Sequence, residues 1–301
     1  MKILVSYRAI PQSPGWATGD MAVKALRELG HDVTVYAKKY ELDEWVEGRP
    51  STLELDTYDL LLFMECNDGE PQYIELKNVR ARKKVCWLFD TSYYPDQCKN
   101  LVDFFFFDEI FLANPLTIDQ YKTWGYDNVH YLPYACDPEL HYRPYSKAGK
   151  KRDVALIGSV RADREELQRD LLERGLNMEL ISGSFREKYI DDLAETSIIV
   201  NQNPDAGRGL LNMRWFETQA AGSVLFSEHE DERINSNAGL SNYECFEYSY
   251  VQDLAACALD LLRDDSLIAR ITTRGQACVL ACHTYQNRCE TLLRTVFPHE
   301  S

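Results

Sequence analysis

The chain has 301 residues, 45% of them hydrophobic and 12% aromatic, and it carries a formal net charge of −15. This composition excludes an intrinsically disordered protein, and the length is sufficient for two domains of ordinary size. The negative charge disfavours a sequence-independent hold on a nucleic-acid backbone, because such binding requires clustered lysines and arginines.

The first ten residues, MKILVSYRAI, contain an apolar run that stops at Arg8, which is too early for the core of a signal peptide. No apolar run approaches the length that spans a bilayer. Nine cysteines form neither a Cys-x-x-Cys pair nor the framework of a secreted domain. We therefore expect a cytoplasmic protein with reduced thiols and no membrane span.

The first half of the sequence predicts a parallel α/β domain. The segments KILVSY, RAIPQSPGWATGD, MAVKALRELG and HDVTVYA indicate a strand, a loop, a helix and a strand, which form one βαβ unit. Apolar runs predict further strands at 58–65, 83–89 and 107–113, and NVHYLPY closes the series. We also predict that DFFFFDEIFL, residues 103–112, is a buried strand.

The next segment, ACDPELHYRPYSKAGKKRD, has the composition of an interdomain linker, with Pro138, Pro144, Gly149 and dense charge. We place the domain boundary near residue 147, which gives a first domain of residues 1–147. The basic run GKKRD, 149–153, is interpreted as a solvated linker and not as a nucleic-acid patch.

After this boundary the alternation of strands and helices restarts. Four strands (DVALIGS, NMELISG, SIIVNQN, SVLFSE) alternate with three helices (REELQRDLLERG, REKYIDDLAET, NMRWFETQAAG). They predict a second Rossmann-like domain, residues 148–280, and the periodicity of residues 253–297 is mostly helical. Two such domains would face one another across a cleft, with the carboxyl ends of both sheets beside the ligand.

Arg214 and Glu217 lie three residues apart on a helix predicted to begin near Asn212. Glycines 207 and 209 allow a tight turn ahead of exposed backbone N–H groups, which suit a phosphate. Arg214 could add a charge-assisted contact, and Glu217 could accept hydrogen bonds from sugar hydroxyls. The alternative is a plain intrahelical ion pair worth about 0.2–0.5 kcal/mol. The spacing alone leaves both interpretations open.

The segment NMRWFETQAAGSVLFSE resembles the donor-binding segment of the spore-maturation-protein-like glycosyltransferases, relatives of glycosyltransferase family 4. In that family an Arg-x-x-Glu-x-x-Ala-x-Gly pattern opens the last donor-side βα unit. VALIGSVRADREEL, SIIVNQN and HTYQNRCETLL are similar to other segments of the same family, in the same order. The resemblance covers most of residues 150–295, and the first domain is similar to the family only in its layout.

The resemblance implies a GT-B fold of class α/β, in which two Rossmann-like domains face one another across a cleft. The first domain would bind the acceptor, the second a nucleoside diphosphate sugar, and a C-terminal helix within 281–301 would pack back toward the first. The implied activity is transfer of a sugar, from a UDP-sugar by preference, to an acceptor hydroxyl. The acceptor would be a glycan, a protein, a small molecule or a modified nucleic acid.

By position in the family pattern, Arg214 would bind the donor diphosphate and Glu217 the ribose or sugar hydroxyls. The remaining predicted donor-binding residues are Gly158, Ser159, Arg161, Arg164, Asn201 and Asn212. The alternative for Arg161 and Arg164 is surface charge at a helix start.

One position departs from the family pattern. Related enzymes usually carry a second acid eight residues before the acid that matches Glu217, and this chain has Gly209 there. Either a neighbour such as Asp205 replaces that acid or the sugar is held differently.

Catalysis by such an enzyme depends on stabilising the departing diphosphate, for which Arg214 is the candidate. A base is needed if the acceptor hydroxyl attacks directly. Asp90, at the end of a predicted strand, is one candidate base. Asp20 is another, although an acid at a helix start stabilises the helix by itself, and that interpretation is favoured. The aromatic residues Trp87, Tyr93 and Tyr94 could stack on an acceptor, but core packing explains Trp87 better.

We expect no metal and no cofactor beyond the nucleotide sugar as co-substrate. The chain has no Asp-x-Asp motif, and Cys278, Cys282 and His283 supply at best three ligands on a hydrophobic helix. Three other functions stay open: a DNA glycosyltransferase acting on a hydroxylated base, a sugar-nucleotide epimerase, and a non-catalytic nucleotide-sugar binder.

Overall fold

The structure is a computed structural model, and it describes residues 1–10, 15–39, 44–50, 53, 57–64, 72–202, 211–228 and 245–299. The chain divides into two compact units, residues 1–133 with 285–301, and residues 134–284. The division after residue 133 falls earlier in the chain than the boundary that we expect near residue 147. The domain limits 1–147, 148–280 and 281–301 stay a prediction. Within the described ranges, no helix has the length and apolar character required to cross a membrane.

The first unit contains a six-stranded sheet in the order β2-β1-β3-β4-β5-β6, and all of its paired strands are parallel. The strands are β1 (Lys2–Ala9), β2 (Asp32–Lys39), β3 (Thr57–Met64), β4 (Arg80–Leu88), β5 (Glu109–Leu112) and β6 (Val129–Tyr131). The central strands are continuous apolar runs because both faces of a parallel sheet are covered. Residues 60–64 of β3, for example, are at most 1% exposed.

Four helices of this unit follow its strands: α1 (Thr18–Glu28), α2 (Gln72–Lys77), α3 (Pro95–Phe105) and α4 (Ile118–Thr123). The prediction of one buried strand over residues 103–112 is wrong. Cys98, Leu101, Val102 and Phe105 have helical spacing and are buried on α3. The helix ends at Phe106, which has φ +53° and is 80% exposed, so that only Glu109–Leu112 forms a strand.

The second unit contains a five-stranded sheet in the order β11-β10-β9-β7-β8, and its paired strands are also parallel. In chain order its elements are α5 (Pro138–His141), β7 (Arg152–Ile157), α6 (Ala162–Glu173), β8 (Glu179–Ile181), α7 (Glu187–Ala194), β9 (Thr196–Asn201), α8 (Arg214–Ala220), β10 (Val224–Glu228), β11 (Cys245–Tyr248), α9 (Val251–Leu261) and α10 (Asp265–Cys282). The predicted strands and helices are present. The four residues of β11 were not predicted, because so short a run gives little periodicity.

The segment predicted as an interdomain linker is structured. It contains α5, and Lys150 is half-buried, with its Nζ donating to the carbonyl oxygens of Ala194, Thr196 and Gly222 at 2.6–2.9 Å. The solvated interpretation of GKKRD is therefore wrong for Lys150. The composition of the run did not indicate that carbonyl oxygens from distant positions accept hydrogen bonds from the Lys150 ammonium.

The C-terminal helix α11 (Tyr285–Val296) belongs to the first unit and packs on α1. Arg288 Nε donates to the carbonyl oxygen of Pro133 at 3.2 Å, and the Tyr285 and Trp87 rings lie 6.2 Å apart between centroids. The expected return of the last helix to the first domain is therefore confirmed, as is the α/β fold class with two parallel sheets.

Candidate functional site

The predicted donor-binding residues lie together in the second unit, near the carboxyl ends of its strands. Parallel strands end at one edge of their sheet, which is where open α/β sheets bind ligands. The loop at 158–161 joins β7 to α6, Asn201 ends β9, and Arg214 begins α8. The structure therefore brings the start of α6 and the start of α8 to the same edge.

Gly158 leaves space for two guanidinium groups. A Cβ atom at this position would lie 2.6 Å from Arg164 Nη1 and 3.0 Å from Arg214 Nη2. A side chain here would displace one or both arginines, so the glycine permits two cations to converge at the end of β7.

Arg164 is a buried cation. Its side chain is 3% exposed, and it donates to the carbonyl oxygens of Ser159 at 2.8 Å and Gln202 at 3.2 Å. Burial, with repulsion from Arg161 and Arg214, lowers the pKa of Arg164 to about 10. The surface-charge alternative is therefore wrong for Arg164.

Arg161 fits that alternative better. It stands just before α6 and forms a bidentate pair with Asp163, at 3.0 Å from Nε and 2.5 Å from Nη2. Its contact with a donor stays a prediction. Ser159 is exposed and meets Arg164 through its backbone carbonyl, so a donor contact by its hydroxyl is equally a prediction.

Arg164 and Arg214 have no carboxylate partner among the residues that the structure describes. Among the buried polar atoms that lack a hydrogen-bond partner within the described residues are Arg164 Nε, Arg214 Nε, Gln202 Oε1 and the Tyr248 hydroxyl. Two adjacent cations without a counter-charge are costly away from water, and so are buried guanidinium N–H groups without an acceptor. An anion with several oxygens would supply both the counter-charge and the acceptors. The geometry therefore suits a phosphate or diphosphate group.

Asn201 and Asn212 hold the start of α8. Asn201 Nδ2 donates to Ser227 Oγ at 3.0 Å, and Asn212 Nδ2 donates to Asn201 Oδ1 at 2.9 Å. Asn212 Oδ1 in turn accepts from the backbone N–H of Arg214 at 3.0 Å. This chain of hydrogen bonds positions Arg214, and a direct contact of either asparagine with a donor stays a prediction.

Glu217 does not pair with Arg214. Its carboxylate is buried, accepts from the Tyr189 hydroxyl at 2.8 Å, and lies 3.5 Å from His141 Nε2. No ion pair joins Arg214 and Glu217 within the described part of the chain, so the plain intrahelical pair is excluded as the explanation of their spacing.

Sequence reasoning missed both partners of Glu217. His141 lies in the segment interpreted as a linker, where Asp137 followed by Pro138 is a helix-start signal. That signal predicts α5 but does not connect His141 to Glu217. Tyr189 lies on a predicted helix and carries no motif.

Asp90 lies in the first unit, just after β4. Its carbonyl oxygen accepts from the backbone N–H groups of Tyr93 at 3.0 Å and Tyr94 at 3.1 Å, which forms the turn before α3. The Asp90 side chain reaches solvent, yet partial desolvation raises the pKa of its carboxyl above the usual value. Trp87 is 0% exposed and donates from Nε1 to the carbonyl oxygen of Leu132, which confirms its packing in the core.

Asp20 lies in the first turn of α1. Its carboxylate accepts from the backbone N–H groups of Gly15 at 2.9 Å and Ala17 at 3.2 Å and from the Tyr7 hydroxyl. These contacts are those of a helix-stabilising acid, and a catalytic role for Asp20 stays a prediction.

In the described ranges, no group of three or more His, Cys, Asp or Glu side chains is arranged to hold a metal ion. Metal independence and the absence of a cofactor stay predictions. The turn glycines 207 and 209 and the alternative acid Asp205 lie outside the described residues.

Comparisons with known proteins bear on the family and the fold of the chain. The sequence profile described as "Glycosyl transferase-like" matches residues 143–294. A solved structure of an alpha-glucosyltransferase in complex with UDP-glucose and DNA containing an abasic site is similar, with a TM-score of 0.72, 11% identity and 99% of each chain covered. No curated protein sequence matches the chain.

Two further solved structures have the same fold. Alr3699/HepE from Anabaena, in complex with UDP-glucose, gives a TM-score of 0.68 at 11% identity, over 99% of this chain and 100% of that one. AviGT4, a glycosyltransferase involved in avilamycin A biosynthesis, gives a TM-score of 0.61 at 12% identity, over 98% of this chain and 96% of that one. The expected GT-B fold is confirmed.

Proposed function

The chain belongs to the glycosyl transferase-like family, and from that premise we propose that it transfers a sugar from a UDP-sugar to an acceptor hydroxyl. Two structurally similar proteins were solved with UDP-glucose, which supports a UDP-sugar as the donor. We also propose the finer relationship to the spore-maturation-protein-like branch, because the quoted motifs occur in the same order along this chain.

The observation that carries the proposal is the convergence of Arg164 and Arg214 at Gly158 without a described carboxylate partner. Cleavage of a nucleotide sugar releases a diphosphate whose negative charge grows as the glycosidic bond breaks. Two guanidinium groups fixed beside that diphosphate would stabilise the transition state more than the bound donor. We therefore assign the leaving-group role to Arg214 and Arg164.

Glu217 is assigned to the hydroxyl groups of the donor. Its carboxylate lies one helical turn after Arg214, so a ligand whose diphosphate meets Arg214 presents sugar hydroxyls near Glu217. A carboxylate accepts hydrogen bonds from hydroxyls through lone pairs that the protein leaves unused.

Asp90 is assigned the role of the base that accepts the proton of the acceptor hydroxyl. Desolvation raises the pKa of its carboxyl, and a higher pKa makes a carboxylate a stronger base. Asp20, whose carboxylate is occupied at the start of α1, is the weaker candidate. The proposed reaction uses no metal and no cofactor besides the nucleotide sugar.

The acceptor is proposed only as a hydroxyl compound. A DNA acceptor has support in the similar structure solved with DNA, while the net charge of −15 disfavours an extended hold on duplex DNA. An acceptor panel should therefore include DNA with a hydroxylated base beside glycans and small molecules.

The test is donor binding to the full-length protein by calorimetry, with UDP, GDP, ADP, CDP and TDP and their common sugars as ligands. Arg164→Met and Arg214→Met each remove one charge-assisted contact, so each should weaken binding of the preferred donor by roughly tenfold or more. Arg169→Met, an exposed arginine on the same helix α6, is the matched control and should leave the affinity unchanged.

Outcomes separate the functions. Binding with transfer to a member of the acceptor panel supports the transferase, whereas conversion of the donor without acceptor indicates an epimerase. Binding without turnover over the whole panel indicates a nucleotide-sugar binder. Donor affinity that is equal in wild type, Arg164→Met and Arg214→Met would refute the site.

A further inference from the structure

Glu217 is a buried carboxylate on α8, 4% exposed, and it would be costly to bury without hydrogen-bond donors. The structure supplies one hydrogen-bond donor to one oxygen and an imidazole nitrogen close to the other. The Tyr189 hydroxyl on α7 donates to Oε2 at 2.8 Å, and Nε2 of His141, on α5, lies 3.5 Å from Oε1. Three separate helices therefore meet at this carboxylate.

The tautomer of His141 follows from its second ring nitrogen. The backbone N–H of Asp137 donates to His141 Nδ1 at 2.8 Å, so Nδ1 is an acceptor and the ring proton resides on Nε2, facing Glu217. Asp137 also caps α5, because its Oδ1 accepts from the backbone N–H groups of Glu139 and Leu140. The start of α5 thus fixes the direction of the imidazole ring.

Both donors keep their protons near neutral pH. Burial lowers the pKa of His141 against the opposing charges of Glu217 and Asp137, with Arg143 acting in the same direction as burial. The neutral ring still carries its Nε2 proton. Burial and then the charge of Glu217 raise the pKa of the Tyr189 hydroxyl well above its usual value. Each side chain therefore keeps the proton that faces Glu217 near neutral pH.

We propose that His141 and Tyr189 are positioning residues that orient the Glu217 carboxylate for the hydroxyl groups of the donor sugar nucleotide. This inference rests on the proposed function. Each carboxylate oxygen has two lone pairs, and the one hydrogen bond from Tyr189 occupies a single lone pair of Oε2, which leaves both oxygens with acceptor capacity for the ligand. A carboxylate that is already ordered pays less conformational entropy when the ligand binds.

Two substitutions of His141 distinguish the roles of its two ring nitrogens. His141→Asn retains an acceptor at the place of Nδ1 but lacks the reach of Nε2, whereas His141→Gln retains a donor near Nε2. Tyr189→Phe removes only the hydroxyl. All three are compared in the full-length protein with UDP-glucose and inorganic pyrophosphate as ligands, after thermal unfolding has established that each variant folds.

Tyr189→Phe should weaken UDP-glucose binding about tenfold, as expected for the loss of a hydrogen bond to a charged group. His141→Asn should weaken it in the same direction, because it removes the Nε2 contact with Glu217 Oε1. Pyrophosphate, which has no sugar hydroxyls, should bind each variant as it binds wild type. His141→Gln should remain within about threefold of wild type for UDP-glucose. In a Glu217→Gln background, His141→Asn and Tyr189→Phe should have no further effect, because coupled residues are not additive.

Equal weakening of UDP-glucose and pyrophosphate would overturn the inference, since it indicates general damage to the unit. An undiminished loss in the Glu217→Gln background would also overturn it, because the effect would not pass through Glu217. Variants with wild-type affinity for UDP-glucose would overturn the inference and leave the proposed function standing. A wild type that binds pyrophosphate but no nucleotide sugar would overturn both.

Discussion

Two glycines act in this protein through the space that they leave. Gly158 admits Arg164 and Arg214, and Gly19 admits the ring of Tyr7, since a Cβ at Gly19 would lie 2.1 Å from Tyr7 Cγ. The close approach of α1 to β1 also allows the Tyr7 hydroxyl to reach Asp20. At the residue scale, therefore, both the arginine pair and the helix start depend on a missing side chain.

At the same scale, the Asp90 carboxylate predicts how activity depends on pH. If its carboxylate accepts the proton of the acceptor, kcat/KM should fall as pH is lowered, because the protonated acid is inactive. Desolvation raises the pKa of this carboxyl, so the fall should be centred above the value of about 3.9 for a free aspartate. The measurement is the pH profile of UDP release in the presence of the acceptor.

Asp90→Asn should lose this acid limb and most of the activity. Asp96→Asn, an exposed acid in the first turn of α3, should keep both and serves as the control. An unchanged profile in Asp90→Asn would contradict the assignment.

At the scale of elements, Lys150 joins the segment before β7 to the ends of α7, α8 and their following strands. Its Nζ donates to the carbonyl oxygens of Ala194, Thr196 and Gly222 and to Ser223 Oγ at 2.9 Å. Burial lowers the pKa of Lys150 to about 7. One side chain thus satisfies carbonyl groups at three element ends.

Lys150→Met should destabilise the protein by about 1–3 kcal/mol, because it leaves buried acceptors without their donor. Between about pH 7 and 10 the unfolded lysine binds a proton that the folded one has released, so the wild type should gain stability with rising pH relative to Lys150→Met. Urea unfolding at several pH values measures both effects.

The neighbouring Lys151→Met is the matched control. The Lys151 side chain is 66% exposed and pairs with Glu195 at the surface, so its loss should cost less than about 1 kcal/mol. Equal costs for the two substitutions would show that the four contacts of Lys150 contribute nothing specific.

At the scale of the whole molecule, the chain leaves the first unit after residue 133 and returns to it at Tyr285. Helix α11 buries five apolar side chains there: Tyr285, Cys289, Leu292, Leu293 and Val296. Cys289 Sγ lies 3.8 Å from the carbonyl oxygen of Ala22 on α1. The first unit therefore depends on the last segment of the sequence.

Truncation after residue 284 should leave the first unit without stable structure. Each large apolar side chain of α11 contributes roughly 1.5–3 kcal/mol by burial, and their sum is comparable to the whole stability of a domain, about 5–15 kcal/mol. Thermal unfolding followed by near-UV circular dichroism measures the loss. Truncation after Phe297 is the control and should unfold as the full chain does, whereas a cooperative wild-type transition in the 1–284 protein would refute this role.

The sequence by itself determined the alternation of strands and helices, the two parallel sheets and the place of Arg164, Arg214 and Glu217 near strand ends. These features follow from local patterns, because the hydrophobic period and the residues after each strand are read along a few consecutive positions. Where one apolar run spanned a helix end and a strand, as at residues 103–112, the local pattern predicted the wrong element.

Only the tertiary structure decided what each of these side chains contacts. Spacing permitted an Arg214–Glu217 pair, but Glu217 instead meets Tyr189 and His141, the latter 76 positions away in the chain. Likewise, Lys150 looked solvated until its carbonyl partners were known. Burial and partnership depend on residues that folding brings together from distant parts of the chain, and no local period encodes them.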